Sequence, residues 1–275
     1  MVTLTYVRVT ILKEKNFVSQ KFRKYCIAKL SISLSNGGKI GVAMGHDYGL
    51  DWIDQDALYE KTKHVFESAI NKKKEKKSNP PDPFTLVAQS IISESTLENV
   101  LHFEVERKIN KTLSNSVGLW HQHILSLAPG WVDLGSNGGG IDLKMEPGFT
   151  DSRFGKPLVA EVKNRFNTIK ASDEKEVWDT LDLAAKTHGA IAYIFQIVPK
   201  TSERYDRPWK VSGRPEKENI RCCDGATAYD IVFQRDNALH DLYEVFPLIM
   251  DDILDGGISV SNDLAERIYS ESIPK

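Results

Sequence analysis

Gly138-Gly139-Gly140-Ile141-Asp142-Leu143-Lys144, followed later by Leu158-Val159-Ala160-Glu161-Val162-Lys163-Asn164, are the two stretches on which the reading of this chain turns. The glycines mark a turn, and the runs beyond it read as short β-strands. Successive side chains of a strand point to opposite faces. Leu158, Ala160 and Val162 therefore share one face, expected to be the core face, while Val159, Glu161 and Lys163 share the other. On the earlier strand, Ile141 and Leu143 are expected to point one way and Asp142 the other. If the two strands pair, Asp142 lies beside Glu161, and two carboxylates and an ammonium converge at the sheet surface.

Working outward, Trp131 to Leu134 reads as the first strand of the same meander, Ile141 to Met145 as the second and Leu158 to Lys163 as the third. Upstream, residues 93–113 carry Leu97, Leu101, Val105 and Ile109 at four-residue spacing with Leu113 following, which predicts a long helix. Ser114 to Leu127 is expected to be a second helix. Residues 55–70 predict another, with Leu58, Val65, Ala69 and Ile70 on its apolar face. Lys72 to Lys77 is a charge run that ends in the proline-rich loop Ser78 to Pro83. It reads either as a solvated helix end or as a loop that touches phosphate. Downstream, 173–187 predicts a helix that opens on Asp173 and Glu176 in capping-box-like spacing. Ala190 to Val198 is apolar on both faces, as a strand covered on both sides should be. Lys200 to Arg221 reads as a polar, aromatic and basic stretch, and helices are expected at about 225–234 and 238–254. The order implies an α/β fold, a mixed β-sheet flanked by helices.

Residues 1–43 stand apart. Val7, Val9 and Ile11 alternate with polar residues, as do Leu30, Ile32 and Leu34, and Asn36-Gly37-Gly38 is a turn signal. This segment reads either as a β-rich N-terminal extension or as translated upstream sequence with Met44 the natural start, which leaves 44–275 as the main domain.

With 275 residues, 41% of them hydrophobic, the chain can bury a core without staples. A net charge of -2 excludes a general polycation but not a basic cleft. Cys26, Cys222 and Cys223 form neither a disulfide framework nor a zinc pattern. A reducing cytoplasm is the expectation, with Cys222 and Cys223 in burial roles. The N-terminus lacks the features of a signal peptide. The longest apolar run, Ala190 to Val198, is interrupted by Gln196 and is too short for a bilayer, so no membrane partner is expected.

Two adjacent carboxylates resist joint ionisation, and a divalent cation relieves the conflict. Magnesium suits such all-oxygen donors and is held by one or two carboxylates plus a substrate phosphate. Lys163 is then placed to orient the attacking water or help deprotonate it, which makes the group a candidate phosphodiester-hydrolysing site. The (D/E)-x-K triplet alone is a weak signal, since it recurs at Glu75-Lys77, Glu106-Lys108, Asp142-Lys144 and Asp173-Lys175. Glu161-Lys163 is separated from these by its apolar strand and by the acid-bearing strand before it. On the residues alone, a catalytic site and a hairpin with a solvated Glu–Lys pair both remain open.

The stretches Gly140 to Lys144 and Glu161-Val162-Lys163-Asn164-Arg165-Phe166-Asn167-Thr168 resemble the active-site region of type II restriction endonucleases of the PD-(D/E)xK superfamily. More narrowly they resemble the group that cuts GGNCC-type sites, in which Glu-x-Lys-Asn is followed closely by Asn-Thr. Val117 to Gln122 and Gly130-Trp131 look like the same group, and the resemblance spans about 95 to 255. The superfamily's Pro-Asp is here Ile141-Asp142, a departure that keeps the acid. The resemblance implies a restriction-endonuclease-like catalytic domain in which Asp142 and Glu161 bind Mg2+ and Lys163 serves the water. It also implies 5′-phosphate and 3′-hydroxyl ends. The family fold usually adds an acid from the leading helix, for which Glu106 is the candidate and Glu104 the other. Gln122 is a candidate helix-to-site hydrogen bonder, and Asn164 and Asn167 are candidates for holding the following loop or touching DNA.

His121 and His123 are two apart in an expected helix and do not share a face, which argues against a metal pair. Tyr205 to Lys210 interleaves basic and aromatic residues, and Arg207, Lys210, Arg214 and Arg221 are candidate DNA contacts, since arginine is the usual bidentate partner of guanine. Gly37-Gly38-Lys39-Ile40 lacks the spacing of a phosphate-binding loop, so no ATP-driven translocation is expected.

The leading expectation is a site-specific endonuclease on double-stranded DNA. A palindromic target presents two scissile phosphates related by a two-fold axis, so a homodimer is the economical assembly. A host must protect its own sites, which implies pairing with a cognate DNA methyltransferase. The alternatives are a structure-specific repair or junction nuclease of the same superfamily and a catalytically inactive DNA-binding module.

Overall fold

The computed structural model describes residues 29–34, 40–74, 81–135, 138–254 and 262–274. The expected alternation at Val7 to Ile11 and the Asn36-Gly37-Gly38 turn lie outside these residues. Lys29–Leu34 (β1) and Ile40–Gly45 (β2) form an antiparallel pair with Leu34 opposite Ile40.

The main sheet has six strands: Trp131–Asp133 (β3), Leu143–Met145 (β4), Leu158–Arg165 (β5), Ile191–Val198 (β6), Asp206–Pro208 (β7) and Ile220–Asp224 (β8). Their spatial order is β3-β4-β5-β6-β8-β7. β3, β4 and β5 run antiparallel, β5, β6 and β8 run parallel, and β7 closes the far edge antiparallel to β8. A parallel neighbour requires a crossover. Glu174–His188 (α4) provides it between β5 and β6, and it ends on Gly189 in the left-handed conformation.

Both faces of the sheet are covered. On one side Leu158, Ala160, Val162, Tyr193, Phe195, Ile197 and Cys223 pack against Gln55–Lys74 (α1), Leu97–Leu125 (α3), Gly225–Phe233 (α5) and Ala238–Ile253 (α6). On the other, Val159, Ala192, Ile194, Ile220 and Cys222 meet Trp178, Leu181, Ala184 and Ala185 of α4. β6 is buried on both faces, as its composition requires. The remaining helices are Pro83–Ile92 (α2) and Asn262–Ser272 (α7).

Several expectations are corrected. Residues 97–125 form one continuous helix, not two, because no glycine or proline interrupts the pattern near Leu113. α2 begins at the last residue of the proline-rich loop and covers residues for which no element is expected: Pro83 occupies the first turn, where it costs no hydrogen bond, and the Asp82 side chain accepts from Phe84 N–H. β7 lies within the polar Lys200 to Arg221 stretch and β8 begins at its end, where no strand is expected. Asp173 precedes α4 without capping it; its carboxylate accepts from Ser172 Oγ instead.

Phe195, fully buried in the central strand, carries much of the larger core. Phe195→Ala is expected to cost about 3–5 kcal/mol, read as a lower urea midpoint at unchanged slope.

Candidate active site

β5 delivers the first two groups. Val159 is buried by α4, and further along the same face of the strand Glu161 and Lys163 are half-buried. The register places Leu143 opposite Ala160, so Asp142 falls next to Glu161. Asp142 N–H donates to the Ala160 carbonyl at 2.9 Å, and the Asp142 carboxylate accepts from Val162 N–H at 2.7 Å. Backbone and side chain of Asp142 are thus both anchored to β5. Lys163 Nζ donates to Glu161 Oε1 in a close ion pair.

The approach to Asp142 departs from a regular strand. Ile141 packs with Val159, Trp178 and Leu181 on the α4 side, whereas Leu143 lies in the opposite core, so the two do not share a face as expected. The bend is made at Gly140, whose φ is +97°. A β-carbon there would sit 2.4 Å from Thr180 Cγ2 of α4. Only glycine allows both the backbone angle and the closeness to the helix.

Electrostatics follow from burial. Desolvation, reinforced by the charge of Asp142, pushes the Glu161 carboxyl up to about 7, and Lys163 opposes the shift. Asp142 is also raised, chiefly by burial, against the pull of the Val162 N–H and Lys163. Two carboxyls that resist joint ionisation, both offering oxygen, form a donor set that fits a hard divalent cation.

The other sequence candidates are distributed unevenly. Gln122 of α3 is buried and donates to Asp133 Oδ1 at 2.8 Å. Asp133, on β3 opposite Leu143, was not foreseen, although an acid at the end of a strand bordering Asp142 is visible in the sequence. It also accepts from Gly135 N–H and lies 3.4 Å from His123 Nε2, and its charge reaches Asp142. Asn164 follows the strand alternation away from Glu161 and Lys163: its side chain lies against Gly118 and reaches the Ser114 carbonyl of α3 at 3.5 Å. Glu106 is exposed on α3, two turns before Ser114, and Glu104 pairs with Arg107. Neither is brought to the carboxylate pair. Asn167 is exposed in the turn after β5.

Arg207 is exposed and stacks over the Tyr205 ring at 5.0 Å. Arg214 grips Asp179 of α4, and Lys210 pairs with Glu216 at 3.0 Å. Arg221 is turned inward to Asp206 at 2.8 Å. His121 is fully buried against the Tyr229 hydroxyl, and burial drives its pKa down to about 3, so it stays neutral. Cys222 and Cys223 are both buried and unpaired.

A mixed sheet flanked by helices, with Glu-x-Lys on a middle strand and an aspartate against it, is the architecture of the restriction-endonuclease-like hydrolases that act on DNA. A family model for the Eco47II restriction endonuclease matches residues 50–255, and the chain belongs to that family. The type II restriction enzyme Eco47II of Escherichia coli is 31% identical over 220 residues, spanning 74% of this chain and 88% of that protein. The type II restriction enzyme Sau96I of Staphylococcus aureus is 23% identical over 184 residues, spanning 63% and 67%. The chain is a type II site-specific endonuclease whose substrate is double-stranded DNA, and enzymes of this class use a divalent metal. No helix among the described residues is long and apolar enough to cross a membrane.

The raised Glu161 pKa has a consequence for the metal-free protein. Between the ordinary 4.5 and about 7, the unfolded chain releases the Glu161 proton while the folded chain keeps it. Unfolding then sheds protons, so stability falls as pH rises across this window. Thermal unfolding in chelator should show a decline from pH 5 to pH 7 that is smaller in Glu161→Gln. Gly140→Ala should lower cleavage by displacing Asp142 while leaving most of the fold intact, read by cleavage rate beside the circular dichroism spectrum.

Proposed function

We propose that Asp142, Glu161 and Lys163 form the catalytic group, with Asp142 and Glu161 as ligands of Mg2+. The observation that carries this reading is the pair of carboxyls crowded side by side, both with raised pKa values, with the Lys163 ammonium on one of them. When bound, magnesium supplies positive charge for the phosphoryl oxygens and the leaving 3′ oxygen. Lys163, as an ammonium, orients the attacking water and by its positive charge favours release of the water's proton to solvent, which in turn supplies the proton taken up by the 3′ oxygen. The water oxygen bonds to phosphorus, the P–O3′ bond breaks, and the 3′ oxygen takes up a proton, leaving a 5′-phosphate and a 3′-hydroxyl. Val162 N–H fixes the Asp142 carboxylate during the reaction, and Gln122 holds Asp133, which borders it.

The target we propose is a GGNCC-like palindrome, supported by the resemblance of Glu161 to Thr168. Arg207, Lys210, Arg214 and Asn167 are proposed DNA contacts, and Glu106 and Asn164 supporting residues. Asn164 would act by tying β5 to α3. A homodimer would bring two such sites to the two strands, and a cognate methyltransferase would protect host DNA. Residues 44–275 are proposed as the catalytic unit, in keeping with the family match to 50–255, with 1–43 an N-terminal extension. Unpaired Cys222 and Cys223 suit a cytoplasmic setting.

Incubation with phage DNA and Mg2+ should give discrete fragments, and mapping their ends should return the target. Lys163→Ala should lower the cleavage rate by about 10²–10⁴-fold, and Asp142→Asn should abolish metal-dependent cleavage. Undiminished cutting by Lys163→Ala would refute the assignment.

A further inference from the structure

α2 and the first half of α3 form a helical arm whose apolar side chains have no cover among the described residues. α2 buries none of its side chains. Phe84, Val87, Ile91 and Ile92 are 85%, 49%, 72% and 83% exposed. Across the short link to α3, Leu97, Leu101, Phe103 and Val105 are 42–59% exposed, and from Leu97 to Asn115 Val100 alone is buried. An isolated helix shorter than about 12–15 residues is marginal in water. A ten-residue helix with no buried side chain therefore needs a covering surface.

We infer that this arm, residues 83–109, is the surface through which two copies of the chain associate. The inference rests on the homodimer proposed above and names the face that makes it. Area is the first argument. Phe84 and Phe103 alone present roughly 200–350 Å² of apolar surface at these exposures. With the aliphatic residues the two helices of the arm offer on the order of 800 Å² in total, about what one partner gives to a standard interface.

Charge is the second argument. A two-fold interface must be self-complementary, because the same patch faces itself in reverse. Glu104 pairs with Arg107 and Lys108 within α3, which leaves Glu98 and Glu106 towards the start of the helix and Lys111 beyond them. Two α3 arms laid antiparallel set the acidic end of each beside the basic end of the other, whereas a parallel arrangement would oppose like charges. The same helix then runs on to Ser114, which backs Asn164 of the strand bearing Glu161, and to Gln122, which holds Asp133. Each arm is thus continuous with the scaffold of its own site.

Sedimentation velocity of the full chain, with Ile91→Glu/Ile92→Glu on α2 and Leu101→Lys on α3 as variants, tests this. The parent should sediment as two chains and each variant as one, a halving of mass with an unchanged circular dichroism spectrum. A parent dimer that both folded variants preserve would overturn the arm as the interface and leave the homodimer reading standing. A parent that is a single chain at every concentration, with or without phage DNA, would overturn both. Hydrogen exchange in the parent guards against variants that fail to fold. Amides of 83–92 should exchange slowly at high concentration and faster on dilution. Protection that ignores concentration would mean that the chain covers its own arm, and would overturn the inference.

Discussion

Two carboxyl groups forced together in partial shelter from water are the constraint on which the rest of this molecule depends. Left alone, Asp142 and Glu161 destabilise each other as anions, and burial makes each more reluctant to ionise. The fold tolerates the pair because Asp142 is held at three points: its N–H on the Ala160 carbonyl, its carbonyl on Leu134 N–H, and its carboxylate on Val162 N–H. Glu161 is held by the strand and by Lys163. On the proposed reading, a cation entering between Asp142 and Glu161 would relieve that conflict.

The surrounding layers make that placement rigid. β5 is a middle strand, antiparallel to β4 on one side and parallel to β6 on the other, and it cannot slip register without turning Leu158, Ala160 and Val162 out of the core. α4 closes the other face over Val159 and Ile194, the β6 neighbour of Glu161. Gly140 brings the Asp142 segment in against Thr180 of the same helix, so α4 positions both halves of the pair.

Much of this was legible because periodicity and burial coincide. The alternation of β5, the two-sided apolarity of β6 and the apolar stripe of α4 each have one structural solution. What escaped did so where local signals and tertiary contacts disagree. β8 was not expected because Arg221 closes a polar, basic stretch, and its head group is accommodated by Asp206 of β7, a partner distant in sequence, together with Glu218. The facing of Ile141 was missed because strand alternation was carried back to Ile141, whereas β4 begins only at Leu143. Asp133 went unremarked because its contacts come from α3 and a turn rather than from its own strand. Glu106 carries a spacing match without the geometry, since its helix reaches the sheet two turns later.

If Arg214 and Lys210 contact DNA as proposed, their ion pairs bear on how nucleic acid is met. Arg214 is already neutralised by Asp179, and Lys210 by Glu216. A phosphate arriving at either cation displaces a carboxylate of the protein instead of finding a bare charge, so fewer counterions are freed into solution for each contact made. Affinity for DNA would then fall less steeply with salt than a count of basic side chains suggests. Random DNA, which brings only its backbone, would gain little from exchanging one anion for another, and what remains to favour binding is the match to the bases.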